Sequence, residues 1–368
     1  MKIWQQIIKK FSIFTLIFIL LFTLIACENN IVNGNYDLEE SLIVHFIDVG
    51  QGDAILIQHD NKTMLIDGGN RYNWVADKLS SYLHKQGVET VHAMVGTHPH
   101  ADHIGGLPAV IEEFEVKKIY DSGRVHTTMT YENYLKLIDE EDIPFNTPRR
   151  GDEIELGDLR FEVLHPTEDV EDYSLNDASI VLRLEYENVS FLFTGDAEYS
   201  SEMEMLDSGK NLKANILKVG HHGSSTSTNK QFLTAVEPDV AIIQVGEDNR
   251  FGHPNTEVLE LLEAHDVDIY KNDIHGDIVV KTDGNQYWTE VAKEGEPRAP
   301  PEDDEDLINI NTAGEIELQE LHGIGSATAD NIIEYREEYG GFDSIDEIKE
   351  VSGIGPATFD HIKNDITI

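Results

Sequence analysis

The stretch Gly96-Thr97-His98-Pro99-His100-Ala101-Asp102-His103-Ile104-Gly105-Gly106 carries the strongest chemical signal in this sequence. It follows an apolar run, residues 91–95, that predicts a buried strand, so three imidazoles and a carboxylate lie on a turn at a strand end, where side chains can converge. Imidazole and carboxylate groups are ligands for zinc, manganese or iron. A surface turn that holds three histidines without a metal is the plain alternative. The spacing predicts a metal site, and the two glycines allow a tight turn into the next helix.

Other predicted strands end in side chains of the same chemical kind. Because successive strands can return to one edge of a sheet, these side chains are expected to lie near the metal loop. As plain alternatives, Asp67 would be an ordinary turn residue and Asp196 would be a helix N-cap. The candidates are Asp67, Asp196, the adjacent His221 and His222, and His253 in the loop after strand 240–244.

The N-terminus has the parts of a secretory signal, since Lys9 and Lys10 precede an apolar run over residues 11–26. The run ends in Leu24-Ile25-Ala26-Cys27, which resembles a bacterial lipobox and implies that Cys27 is lipidated. Because Cys27 is the only cysteine, we expect no disulfide partner within the chain and no zinc-thiolate site. We therefore predict an extracytoplasmic lipoprotein anchored to the cell membrane. An uncleaved anchor helix is the alternative, with the same location.

The sequence is strongly acidic, because 27 basic side chains stand against 70 acidic ones, for a formal net charge of −43 at pH 7. Such a charge repels polyanions, although salt limits the range of the repulsion to about 8–10 Å. The composition argues against a large basic groove for nucleic acid.

The pattern His98-x-His100-x-Asp102-His103 resembles the metal-binding signature of the metallo-β-lactamase superfamily. The resemblance implies two divalent metal ions per chain, zinc or manganese, one held by the first two histidines and the other by the Asp-His pair. It also implies that Asp196 bridges them and that Asp67 supports the loop from behind without binding metal. Paired strands with helices between them fit the superfamily's fold, so we expect an α/β protein with a four-layer αββα sandwich.

The third histidine that the superfamily usually has between the metal loop and the bridging aspartate is not obvious here. His165 lies in this interval, but at a strand end typical of ComEC-like domains. We predict instead that one histidine of the 221–222 pair completes the first metal site and that His253 completes the second. With His221 as that ligand, His222 is left free to steady charge or protonate a leaving group. Asp102 and His222 are thus the predicted catalytic residues.

Three further runs narrow the resemblance to particular members of the superfamily. Asp48-Val49-Gly50-Gln51-Gly52-Asp53 and Leu65-Ile66-Asp67-Gly68-Gly69 are similar to the start of the metallohydrolase domain of ComEC-type competence proteins, which act in DNA uptake. The run His221-His222-Gly223-Ser224 resembles a motif of ComEC-like and phosphorylcholine-esterase-like members.

The C-terminal part contains an internal duplication, since Gly323-Ile324-Gly325 and Gly353-Ile354-Gly355 lie 30 residues apart and each precedes a predicted helix. It resembles the paired helix-hairpin-helix domain of ComEA-type DNA receptors. The resemblance implies that backbone N–H groups of these two hairpins bind DNA phosphates. Residues 307–368 carry three basic side chains against thirteen acidic ones, so we expect DNA binding to be weak and assisted by cations.

The expected function is that of a surface-anchored, dinuclear metal-dependent phosphodiesterase, a nuclease acting on DNA. One alternative is hydrolysis of another ester or amide, such as a phosphorylcholine ester or a β-lactam. A second is a DNA-binding lipoprotein without turnover. The predicted domains are a signal peptide with lipobox (1–27), a tether (28–40), a hydrolase domain (41–293), an acidic proline-rich linker (294–306) and a helix-hairpin-helix domain (307–368).

Overall fold

The computed structural model describes residues 41–367 apart from 168–169, 248, 250, 294–306, 312, 320, 322, 340–341, 343 and 364. The predicted signal peptide with Cys27, the tether and the acidic linker lie outside these described residues. Within the described part, no helix combines the length and the apolar character needed to cross a membrane.

The first sheet has eight strands, which lie side by side in the order β17-β16-β1-β2-β3-β5-β7-β8. Neighbours from β17 to β3 are antiparallel, and those from β3 to β8 are parallel. Its strands in chain order are β1 (Leu42–Phe46), β2 (Ile55–His59), β3 (Lys62–Ile66), β5 (Ala93–Gly96), β7 (Ile119–Asp121), β8 (Phe145–Asn146), β16 (Ile278–Thr282) and β17 (Tyr287–Val291).

The second sheet has seven strands in the order β15-β14-β13-β12-β11-β10-β9. Strands β12 to β15 are parallel to one another, whereas the pairs from β9 to β12 are antiparallel. Its members in chain order are β9 (Glu153–Leu156), β10 (Leu159–His165), β11 (Val181–Tyr186), β12 (Val189–Phe193), β13 (Ile216–Lys218), β14 (Val240–Ile243) and β15 (Asp268–Lys271).

The two sheets pack face to face because alternate side chains of each strand point into the space between them. Val44 and Phe46 of β1 share one buried cluster with Phe191 and Phe193 of β12, and the rings of Phe46 and Phe193 lie 6.4 Å apart. Leu192, between those two phenylalanines, points to the opposite face and joins the core under the outer helices.

Helices cover the outer face of each sheet, so the predicted αββα sandwich is confirmed. Thr128 begins one of them by accepting a hydrogen bond from the Tyr131 backbone N–H, as an N-cap residue does. The helices over the first sheet are α1 (Asn73–Lys85), α3 (Leu107–Glu113) and α4 (Met129–Glu140), and those over the second are α5 (Tyr199–Asp207), α6 (Lys230–Val236) and α7 (Thr256–Glu263). Two short helices, α2 (Ala101–Ile104) and α8 (Asn272–His275), complete this part.

The predicted continuous strand over residues 91–95 is wrong, because the chain divides there into two strands. β4 (Thr90–Val91) pairs with β6 (Glu115–Val116) in a separate small sheet, whereas β5 alone joins the eight-stranded sheet. His92 lies between them, and its backbone N–H donates to the Thr63 carbonyl. The residues on both sides of His92 are apolar, so the sequence pattern did not reveal that they belong to two separate strands.

The C-terminal part contains α9 (Glu315–Leu318), α10 (Ser326–Tyr339) and α11 (Pro356–Ile362), with β18 (Ile308–Asn309) and β19 (Ile366–Thr367) paired in parallel. The duplicated hairpins precede α10 and α11 and have the same geometry. In each, the middle isoleucine donates its backbone N–H to the carbonyl of the residue three positions earlier, which is Leu321 in one hairpin and Val351 in the other. Both isoleucines are buried in a separate core.

His45 on β1 provides a pH test of the packing. Its Nδ1 lies 3.0 Å from the Tyr82 hydroxyl and its Nε2 lies 3.1 Å from Gln58 Oε1, so the neutral ring satisfies both neighbours. Burial lowers the pKa of His45 to about 4. His45 therefore binds a proton below about pH 6.5 in the unfolded chain but only below about pH 4 in the folded chain. The folded state loses stability as the pH falls from about 6.5 to about 4.

We expect the free energy of unfolding to fall between pH 7.5 and pH 5.5 by about 1 kcal/mol more in the wild type than in His45→Gln. Urea denaturation at the two pH values, in a buffer with chelator, measures this difference. Parallel pH profiles for the two proteins would contradict the assignment.

Candidate metal centre

Strands from both sheets end at one edge of the sandwich and bring the predicted side chains together. β3 and β5 of the first sheet lead to Asp67 and His98, and β12 and β13 of the second lead to Asp196 and the His221–His222 pair. Among the described residues, four overlapping groups here have ligand atoms within 4.8 Å of one another. They are His98 with His103 and Asp196, Asp102 with His103 and His222, Asp53 with Asp67 and His103, and Asp53 with Asp196 and His222.

Asp196 belongs to two of these groups, and its carboxylate lies near four histidines. Its backbone N–H donates to the Ser179 hydroxyl at 3.1 Å, which fixes the turn after β12. Burial raises the pKa of the carboxyl group, but the positive charges of His103 and His222 outweigh burial and hold the pKa well below its usual range. The carboxylate Oδ2 lies 3.2 Å from His103 Nε2, 3.6 Å from His222 Nε2, 3.8 Å from His98 Nε2 and 3.9 Å from His221 Nε2.

His98 and His100 form the first half of the metal loop, with His98 Nε2 and His100 Nδ1 3.0 Å apart. His98 is fully buried, and burial lowers the pKa of its imidazole well below the usual value. Burial lowers the pKa of His100 in the same direction. Both rings are therefore neutral at pH 7, with a nitrogen lone pair available for a metal ion.

Asp67 lies behind the loop, on the side of His103 opposite Asp196. Its Oδ2 accepts hydrogen bonds from His103 Nδ1 at 2.8 Å and from the Thr97 hydroxyl at 2.7 Å, while its Oδ1 accepts from the Thr97 backbone N–H at 2.8 Å. These bonds turn His103 Nε2 toward Asp196. The position agrees with the supporting role that the resemblance implied for Asp67.

His221 and His222 form a strained turn that sends their rings in different directions. Both residues have left-handed backbone conformations, with φ of 46° and 53°, a state that costs about 1–3 kcal/mol per residue. His222 is buried and donates from Nδ1 to the Gln244 carbonyl at 2.8 Å, so that its Nε2 lies 3.3 Å from Asp102 Oδ2. The buried ring thus lies beside Asp102 and His103, the pair that the resemblance assigns to the second metal.

His221 faces the open side of the cluster, where 23% of its side chain is exposed. Its Nδ1 lies 3.1 Å from both Glu198 Oε1 and the Thr226 hydroxyl. Its Nε2 lies 3.4 Å from the Asn176 side-chain nitrogen. His221 therefore presents a polar, partly exposed group at the mouth of the site.

His253 belongs to none of the ligand groups found in the described part of the chain. Its ring centroid lies 5.7 Å from that of His221. The Phe251 ring stacks on the His253 ring, with the two centroids 5.8 Å apart. Its Nδ1 is buried without a hydrogen-bond partner. The structure brings His253 close to His221, and its role as a ligand of the second metal stays a prediction.

Sequence reasoning missed an ion pair beneath the cluster, formed by Asp53 and Lys218. The Lys218 side chain is fully buried, and its ammonium group contacts Asp53 Oδ2 and donates to the Gly195 carbonyl at 3.0 Å. Asp53 Oδ1 in turn lies 3.3 Å from His222 Nδ1. The available signal was a lysine inside the apolar run of β13, because a charged residue at such a position needs a partner.

The glycine turn before Asp53 packs directly against the metal loop. A Cβ on Gly52 would lie 2.3 Å from the Asp102 carbonyl oxygen, and the Asp53 backbone N–H donates to that same carbonyl at 3.1 Å. Only glycine allows this approach, which explains the glycine at position 52.

The predicted phosphate-binding hairpins expose their glycines and bury their middle residue. Gly323, Gly325, Gly353 and Gly355 are exposed, whereas Ile324 and Ile354 are 4% and 3% exposed. Backbone groups of these hairpins can thus reach a ligand, while the isoleucines serve the core. Arg336, one of the three basic residues here, donates to the Ile310 and Ala313 carbonyls and stabilises the domain itself.

Two family descriptions match the chain. The metallo-β-lactamase superfamily matches residues 47–247, and the helix-hairpin-helix motif matches residues 303–367. ComE operon protein 3 of Bacillus subtilis is 33% identical over 251 residues, which cover 64% of this chain and 32% of that protein. Competence protein ComA of Neisseria gonorrhoeae is 28% identical over 241 residues, covering 65% of this chain and 32% of that protein.

The C-terminal part has a relative of its own. ComE operon protein 1 of Bacillus subtilis is 52% identical over 62 residues, which are 17% of this chain and 30% of that protein. The chain spans about a third of the length of each of these curated relatives. Because the superfamily match covers more than half of the chain and coincides with the ligand cluster, the chain belongs to the metallo-β-lactamase superfamily.

Proposed function

We propose that this protein is a surface-anchored, metal-dependent phosphodiesterase that cleaves DNA. One observation carries the proposal: a buried His/Asp cluster and a helix-hairpin-helix domain occur in one chain, and each has relatives of the ComE operon. A fold alone does not fix a substrate, so the joined domains are the reason to prefer DNA over other esters. Anchoring rests on the lipobox-like run that ends at Cys27.

The cluster fits two divalent metal ions. His103 Nε2 and Asp196 Oδ1 are buried and have no hydrogen-bond partner, and such atoms are costly unless a ligand uses them. His98, His100 and Asp196 would hold one ion. Asp102, His103, His222 and Asp196 would hold the other, with His221 and His253 at the open side. Two such ions supply Lewis-acid polarisation of a phosphodiester.

Groups that would not bind metal themselves hold the ligand side chains in position. Asp67 orients His103, and the Gln244 carbonyl orients His222, since each accepts the Nδ1 proton and leaves Nε2 for coordination. Lys218 binds Asp53 and the carbonyl of Gly195, the residue before Asp196, and so positions the central carboxylate from below.

His221 and Glu198 suit a role in proton transfer at the open side of the cluster. A leaving alkoxide oxygen needs a proton, and an imidazole paired with a carboxylate is a suitable donor. His221 is partly exposed and 3.1 Å from Glu198, whereas His222 is buried among ligands. We therefore place the donor role on His221 in preference to His222, whose predicted role as catalytic acid stays untested.

The helix-hairpin-helix domain would hold DNA loosely. Its hairpins offer backbone N–H groups, but the domain is acidic and Arg336 is engaged within it. Lysine and arginine contacts to phosphate supply most sequence-independent affinity. Weak binding that divalent cations assist is therefore the mode that the charges favour.

We expect the full chain, purified in detergent, to release acid-soluble fragments from linear DNA in the presence of Mn²⁺ or Zn²⁺. His100→Ala and Asp102→Asn should each lower the rate at least about 100-fold, because each removes a ligand atom from the cluster. Asp139→Asn, on the exposed face of α4, is the matched control and should keep the wild-type rate. Chelator should abolish the activity of all proteins.

A metal-loaded wild type that leaves single- and double-stranded DNA intact would refute the nuclease. Hydrolysis of a small phosphoester or of a β-lactam would then identify the ester or amide alternative. DNA retention without any turnover would identify the DNA-binding alternative.

The Asp53–Lys218 pair allows a second test that needs no substrate. Lys218→Met leaves Asp53 buried without its ammonium partner, so we expect the free energy of unfolding of the metal-free protein to fall by about 3–5 kcal/mol. Zinc affinity at the cluster should fall about 10- to 100-fold, as for loss of a supporting group around a metal site.

Urea denaturation and zinc titration measure the two effects. Lys213→Met is the matched control, because Lys213 pairs with Glu237 at the exposed surface and such pairs contribute less than about 1 kcal/mol. Adding Asp53→Asn to Lys218→Met should restore part of the stability. Equal stability of Lys218→Met and the wild type would contradict a supporting role for the pair.

A further inference from the structure

A second group of potential metal ligands lies at the opposite end of β3 from Asp67. It consists of His59, Asp60 and Asp158, whose ligand atoms lie within 4.8 Å of one another. His59 is the last residue of β2 and Asp60 begins the turn to β3, in the first sheet. Asp158 belongs to the turn between β9 and β10, in the second sheet. The group therefore connects the two sheets away from the proposed active site.

His59 is the buried member of the group, with 5% of the residue exposed. Its Nε2 lies 3.1 Å from Asp158 Oδ1 and 3.7 Å from Asp60 Oδ2. This nitrogen is buried and makes no hydrogen bond. A buried polar atom without a partner, directed at two carboxylates, is the observation that points to a ligand.

The spacing of the ligand atoms suits a single ion. Two ligands at about 2.1 Å from one tetrahedral metal ion are about 3.4 Å apart. The two nitrogen–oxygen distances at His59, 3.1 and 3.7 Å, lie on either side of this value. The Asp60 and Asp158 side chains are 54% and 73% exposed, so water can complete the coordination.

The surroundings hold His59 in this orientation. The Ser41 carbonyl oxygen lies 3.5 Å from Nδ1, on the other side of the ring, as a backbone carbonyl often does behind a metal-binding histidine. The Tyr186 ring packs edge-on against the imidazole, with the centroids 5.1 Å apart. Asp60 and Gly157 have left-handed backbones, with φ of 46° and 64°, which fixes the two turns that carry the carboxylates.

We propose that His59, Asp60 and Asp158 bind one divalent transition-metal ion, with Zn²⁺ as the ion tested, and that this ion fastens the two hairpin turns together. The proposal is independent of the reaction at the other end of β3. It concerns an additional, structural metal.

The test is the number of zinc ions per chain. The untagged full chain in detergent is stripped with chelator, dialysed against micromolar ZnCl₂, freed of unbound zinc and measured by elemental analysis. We expect the wild type to hold one zinc ion more than His59→Gln and one more than Asp158→Asn. Zinc should also raise the Tm of the wild type by about 3 °C more than that of either variant.

Glu187→Gln is the matched control, because Glu187 is an exposed acidic residue with a left-handed backbone in the neighbouring hairpin turn between β11 and β12. It should retain the wild-type zinc content. Asp158→Asn changes an exposed side chain, so it reports on the site even if His59→Gln fails to fold. Equal zinc content in the wild type and Asp158→Asn would overturn the proposal, whether or not His59→Gln loses an ion.

Discussion

The buried ion pair between Lys218 and Asp53 is the interaction on which the metal centre depends. Lys218 is at the end of β13 in the second sheet, and Asp53 lies in the loop that precedes β2 in the first. The pair therefore joins the two sheets directly beneath the carboxylate of Asp196. A buried ammonium group is costly in isolation, and this one is compensated by Asp53 and by the Gly195 carbonyl. The same contacts fix the turn that delivers Asp196 to the cluster.

The charge balance of the cluster explains why this pair is needed. Asp53, Asp67, Asp102 and Asp196 converge in a small buried volume, and such carboxylates repel one another unless positive charge lies between them. Lys218 supplies one permanent positive charge. In the metal-free protein His103 and His222 add positive charge, a role that divalent ions would take over when bound. The burial-lowered pKa values of His98 and His100 keep those rings neutral for coordination.

Sequence patterns predicted the parts of the site that depend on residues close together in the chain. They missed contacts between residues that are far apart in the chain. The metal loop, Asp196 and the histidine pair were recognisable because each follows an apolar strand within a few residues. The Asp53–Lys218 contact joins residues from two sheets, and no local pattern encodes that pairing. The contact of His222 with Asp102 follows from the left-handed turn at residues 221–222, which the sequence does not display. The division at His92 was hidden for a similar reason, since two strands of different sheets share one apolar run.

The most direct test of the account is to locate the metal ions in crystals grown with zinc, by anomalous scattering at the zinc absorption edge. At the candidate metal centre we expect two peaks, one beside His98 and His100 and the other beside Asp102, His103 and His222; a peak at His59 would belong to the separate site proposed above. A single peak at the centre, or a second peak there whose ligands exclude His222, would contradict the arrangement of ligands from which the proposed chemistry is derived.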